Sequence, residues 1–200
     1  MSYLNGCFQI KHFGFAEVFH FSTFDIYNFL NSMNQVEMNK QAKLSEHFSL
    51  GELTKTKHVT ADGNIPSHEV IENLKRLCWW LEELRYSYNT LYCLQPGEDY
   101  ESSENVEGIV INSGYRSPAV NKLAGGVVTS NHVTGCAVDI RCAGKEQMIR
   151  YASILLDIAD GMGKDYDELL LEQHGNICWL HFGVRPPSQQ NRRRISFLRQ

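Results

Sequence analysis

Residues 130–139 read Ser130-Asn131-His132-Val133-Thr134-Gly135-Cys136-Ala137-Val138-Asp139. Thr134-Gly135 is a turn signal, and the small and β-branched residues beyond it run into a short strand at Val138–Ile140. The stretch therefore sets a histidine and an aspartate on the two sides of one turn. Downstream, Leu169–Glu172 and Ile177–Val184 read as strands joined by Gly175-Asn176, a pair suited to a two-residue hairpin loop. Such a loop pairs His174 with Ile177 and Glu172 with Trp179. Side chains alternate along strands, so Glu172, Trp179 and His181 then share one face. A slip of one residue in this register would turn Glu172 to the other face. His132, Asp139 and His181 together would offer a metal two imidazoles and a carboxylate, which leaves one position of a tetrahedral zinc open. On spacing alone the plainer alternative also stands, in which a strand histidine is merely hydrogen-bonded.

Working upstream, Asp62-Gly63-Asn64 marks a turn and Pro66 sits where helices commonly start. From Ser67 to about Tyr88, Val70, Leu74, Leu77, Leu81 and Leu84 recur at helical spacing, opposite Glu72, Lys75, Arg76 and Glu82. That pattern predicts a long core-packing helix. Residues 95–105 are polar and acidic with Pro and Gly, so they read as an exposed loop, and Gly108–Asn112 reads as a strand. Ser117-Pro118 looks like a cap and first helical position, with a short helix ending near Gly125-Gly126. Lys145–Asp160 carries Met148, Ile149, Ala152, Leu155, Leu156 and Ala159 at helical spacing. This order of elements predicts an α+β domain with a small antiparallel sheet packed with helices.

The 200 residues, 42% of them hydrophobic, suffice for one domain with a real core. A formal charge of -4 gives no basic footprint and argues against a nucleic-acid partner. The six cysteines include no C-x-x-C pair and read as buried or free thiols, which points to a reducing compartment. Residues 1–37 are aromatic-rich, but Lys11, His12, Glu17 and Asp25 interrupt them, so neither a membrane span nor a secretory signal is expected. Met38 directly precedes a polar run, so this segment is either an appendage, packed or disordered, or lies upstream of the true start. The expected organisation is an N-terminal appendage over 1–45, a domain over 46–185, and a basic C-terminal tail over 186–200.

The decapeptide Ser130–Asp139, with Ser113-Gly114-Tyr115-Arg116-Ser117-Pro118 before it and Trp179-Leu180-His181 after it, resembles the signature of the zinc D-Ala-D-Ala carboxypeptidase family. The family pattern Ser-x-His-x-x-Gly-x-Ala-x-Asp is met at every fixed position. Phe48–Thr54 and the helix from Pro66 to Arg85 are similar to a subgroup with phage endolysin-like members, and the likeness covers roughly residues 46–185. The resemblance implies a Hedgehog/DD-peptidase fold and zinc held by His132, Asp139 and His181. It implies that Arg116 pairs with a substrate carboxylate, which its planar fork suits, and that Ser130 adds a hydrogen bond to substrate or metal site. Many relatives carry an acid three positions before the last histidine, where this chain has Cys178, and some a histidine at the position of Trp179. The general base is therefore assigned to Glu172, with His174 as fallback. The activity implied is zinc-dependent hydrolysis of peptide bonds in peptidoglycan stem peptides, of carboxypeptidase or endopeptidase type. A non-catalytic zinc module binding cell wall on the same fold is the alternative. With no signal peptide seen, the expectation is cytoplasmic accumulation and phage-type release to the wall.

Overall fold

The computed structural model describes residues 39–199. Within them lie helices α1 (Leu50–Leu53), α2 (His68–Tyr92), α3 (Pro118–Leu123) and α4 (Lys145–Gly161). Strands β1 (Ile111–Ser113), β2 (Ala137–Cys142), β3 (Glu168–His174), β4 (Ile177–Gly183) and β5 (Arg194–Arg199) form one sheet in the order β1-β2-β4-β3-β5. Short polar side chains start the first three helices. Ser49 and Glu52 form a reciprocal capping box, and Ser67 and Ser117 accept the Val70 and Val120 N–H groups. The cap of α2 is thus Ser67, one residue beyond Pro66. The helix outruns its expected end at Tyr88 because Asn89, fully buried, donates to the Arg85 and Glu107 carbonyls.

The sheet is covered by helices on one face. Val138, Ile140, Leu180, Phe182 and Leu169 turn toward α2 and α4, with the Trp80 and Phe182 rings 5.1 Å apart. Each large apolar side chain so buried contributes about 1.5–3 kcal/mol. Alternation sends the intervening residues to the other face: Asp139 and Arg141 on β2, Trp179 and His181 on β4, Glu168 and Glu172 on β3. The expected hairpin register holds, with His174 opposite Ile177, Glu172 opposite Trp179 and Gly175 at φ +57° in the loop.

Two expectations need correction. The sheet is mixed, since β5 runs parallel to β3. The same strand occupies residues expected to be a solvated basic tail. The arginines leading into it and at its start are drawn in by carboxylates: Arg192 binds fully buried Asp167 through Nε and Nη2, Arg193 reaches Asp160, and Arg194 reaches Glu168. The N-terminal appendage expected over 1–45 falls largely outside the described residues. Residues 39–45 are tied to the start of α1 by hydrogen bonds from the Leu44 N–H to the Phe48 carbonyl and from the Leu50 N–H to the Ala42 carbonyl. Among the described residues no helix is long and apolar enough to cross a membrane.

The cysteines among the described residues are free. Burial pushes the Cys78 and Cys142 thiols up to about 12, and Cys136 and Cys178 are also buried. Cys93 alone of these five is half-exposed. Because the thiolate is the reactive form, alkylation of the native protein is expected to modify Cys93 and spare Cys78, Cys136, Cys142 and Cys178 until unfolding. Peptide mapping by mass spectrometry checks this; Cys142 labelling as fast as Cys93 would refute it.

Candidate metal centre

The backbone converges on the site from three directions. The turn Asn131–Thr134 is 3-10 helical, and Ser130 caps it by accepting the His132 N–H. Gly135 ends it in the left-handed region at φ +70°. A Cβ there would stand 2.8 Å from Val70 Cγ1 and 2.9 Å from the Val70 carbonyl oxygen, so α2 packs where any other residue would project. Asn73 of α2 also donates to the Thr134 carbonyl. The chain leaving β1 threads past α1, with the Tyr115 N–H on the Leu53 carbonyl and the Arg116 N–H on the His132 carbonyl.

These contacts bring His132, Asp139 and His181 together, each no more than 8% exposed. One ligand atom from each lies within 4.8 Å of the others. Asp139 stands directly opposite His181 in the β2–β4 pairing. The Asp139 Oδ1 oxygen is 3.2 Å from His132 Nε2 and 2.9 Å from His181 Nδ1. His132 Nδ1 is 2.7 Å from the Gly114 carbonyl, which can only accept. Nδ1 must therefore carry the proton, and the lone pair of Nε2 points into the centre. His181 Nε2 lies 3.5 Å from Glu168 Oε2, and Asp139 Oδ2 accepts from Arg116 Nη2. Each candidate ligand thus has its second polar atom held from behind, the arrangement that orients ligands around a metal. Two imidazole nitrogens and one carboxylate oxygen fit a zinc-type site with an open position.

The charges are strongly coupled. Burial works to raise the Asp139 pKa, but the His132 and His181 imidazoles outweigh it and hold the carboxyl far below the ordinary range. Burial alone would lower that of His181, yet Asp139 and Glu168 lift it to about 9.

Glu172 lies on the same face as His181, across from half-buried Trp179. Burial raises its pKa, with Asp139 adding to the rise and His181 opposing it. His174 is one step further along that face, at the exposed hairpin end. Cys178 points to the helix side, opposite Cys142. Arg116 is held from two sides, its Nε donating to Ser113 Oγ at 2.7 Å while Nη2 holds Asp139.

Sequence reasoning missed Glu168. Besides His181, this carboxylate contacts Asn131 Nδ2 at 3.0 Å and Arg192 Nη2 at 2.9 Å, and the His181 hydrogen bond first among its causes lowers its pKa. The signal was present in the two-residue period, since Glu168 and Glu172 lie on one face of β3.

Residues 99–163 match the Peptidase M15 family model. The Peptidase M15 match includes Arg116, Ser130, His132 and Asp139, and supports a metallopeptidase. It stops short of β3 and β4, so His181, Glu168 and Glu172 join the centre on geometry. No curated protein matches the chain.

Proposed function

We propose that the protein is a zinc-dependent peptidase acting on peptidoglycan stem peptides, of D-Ala-D-Ala carboxypeptidase or endopeptidase type. The observation that carries this reading is the meeting of His132, Asp139 and His181, each backed by a second partner, with Glu172 on the same face of the sheet and in no ion pair among the described residues. Zinc bound there supplies Lewis acidity, polarising the scissile carbonyl and lowering the pKa of the attacking water toward roughly 7. Glu172 receives the water proton on its carboxylate and passes it to the leaving amine. Its raised pKa suits both halves of that exchange. Arg116 steadies Asp139 through Nη2, which leaves Nη1 for a substrate carboxylate. Ser130 accepts the His132 N–H and keeps its own hydroxyl proton to donate. Phage-type release to the cell wall would bring the enzyme to this substrate.

A zinc-holding wall-binding module is the second reading. What favours it is Cys178, buried on the opposite sheet face where many relatives of the resemblance carry an acid. Metal analysis of the purified protein beside His132→Ala and His181→Ala tests the shared premise: about one zinc per chain is expected, lost in both variants. No zinc after reconstitution would overturn both readings. Zinc with retention on peptidoglycan but no cleavage would select the binding module.

A further inference from the structure

A cleft of ≈ 580 Å³ opens beside the metal centre, between the irregular segment 55–58 and the outer edge of β1. That volume is in the range of small-ligand sites. Lys55, Lys57, His58, Arg116 and Arg141 line it, and no Asp or Glu does. The absence is notable in a chain with 23 acidic residues against 19 lysines and arginines. Lys55, Lys57 and Arg141 are exposed, and among the described residues none of the three forms an ion pair.

Two of the cleft's arginines tie it to the centre. Arg116 lines it while holding Asp139, and Arg141 follows Asp139 on the same face of β2. On the opposite flank of the centre stand Glu168 and Glu172 of β3. Across the sheet, Arg141, Trp179 and Glu172 lie in one register row, cationic toward β1 and carrying the Glu172 carboxyl toward β3, where Arg192 and Arg194 already neutralise Glu168.

That polarity orients a peptide. A carboxylate-bearing end is drawn to the β1 side and repelled from the β3 side. Nε and Nη2 of Arg116 are already engaged, so a lone terminal carboxylate needs little more than its remaining Nη1. Three further unpaired cations exceed what one carboxylate would use. Resting on the peptidase reading above, and on its endopeptidase form, we infer that this cleft receives the leaving portion of the substrate and selects one with at least two carboxylates, read by Lys55, Lys57 and Arg141.

The test is titration calorimetry with three acetylated dipeptides: D-Ala-D-Ala amide, D-Ala-D-Ala, and D-Ala-D-Glu. Wild type is compared with Lys57→Ala and Arg141→Ala, at low and high salt, with turnover followed in parallel. Affinity is expected to rise with each carboxylate and to fall with salt. Each variant should bind the diacid about tenfold more weakly, the value of one charge-assisted hydrogen bond, and should raise KM more than it lowers kcat. Equal affinity for the three peptides, no affinity for any, or variants that bind the diacid like wild type would each overturn the inference. The two proposals fail separately. Charge-graded binding without turnover would sustain the cleft and sink the peptidase, whereas turnover blind to charge would do the reverse.

Discussion

Asp139→Ala is expected to remove bound metal and, with chelator present throughout, still to cost about 3–5 kcal/mol of stability, the usual penalty for breaking a buried ion pair from one side. Asp139 accepts from Arg116, whose side chain is 19% exposed, and from His181 Nδ1, with His132 Nε2 3.2 Å away. Removing the carboxylate leaves that guanidinium facing His181 with no anion between them. The metal-free wild type should show a matching pH dependence. His181 has a pKa raised to about 9 in the folded protein, against roughly 6.5 unfolded. Its pairing with Asp139 therefore stabilises fully below about pH 6.5 and is lost as pH rises through about 9. Urea denaturation across that window reads both effects. A chelated Asp139→Ala variant as stable as wild type at neutral pH would show that the pairs contribute little to the fold.

Glu172→Gln and Glu168→Gln are expected to fail in different ways. The first should keep its zinc and lose roughly 10²–10⁴ in kcat, the range general-base catalysis supplies. The second should lose about 10–100-fold in metal affinity, the usual effect of removing the group behind a histidine ligand. The difference follows from their surroundings. Glu172 is held above the usual Glu range by burial and makes no ion pair among the described residues. Glu168 is held below it by His181 and is fixed further by Asn131 and Arg192. A base must be ionised to work, so the acid limb of wild-type activity should lie above the ordinary glutamate pKa of about 4.3 and should vanish in Glu172→Gln. Metal titrations and pH–rate profiles on both variants decide the matter. Turnover surviving in Glu172→Gln but lost in zinc-loaded Glu168→Gln would transfer the base to Glu168.

Much of the centre could be read before any coordinates. The turn at Thr134-Gly135 allows His132 and Asp139 to face one point only because Gly135 adopts a positive φ under α2. The Gly175-Asn176 loop sets the hairpin register, and with it the common face of Glu172 and His181. Both are local properties, dictated by backbone sterics and the two-residue period of a strand. The Arg192–Arg194 run, by contrast, looks like a solvated tail for as long as its partners are unknown. Asp167, Asp160 and Glu168 are distant in the chain, and the ion pairs that hold the run at the entrance of β5 form only once those segments are in place.

Glu168 and Arg116 follow the same division. Their residue types announce charge, but which charge each meets depends on segments brought together across the fold. Glu168 gains its partners from β4, from the turn at Asn131 and from the approach to β5. Arg116 lies against Asp139 because β1 and β2 pair there. The sequence by itself supplied the candidate ligand set through the resemblance carried by residues 130–139 and 179–181, and it determined the turn that presents the set and the face on which Glu172 lies, because short-range sterics and strand alternation suffice for these two. Only the tertiary structure decided which side chains stand behind the ligands, and that a cationic cleft adjoins one flank and carboxylates the other, because electrostatic partners are set by distance in space.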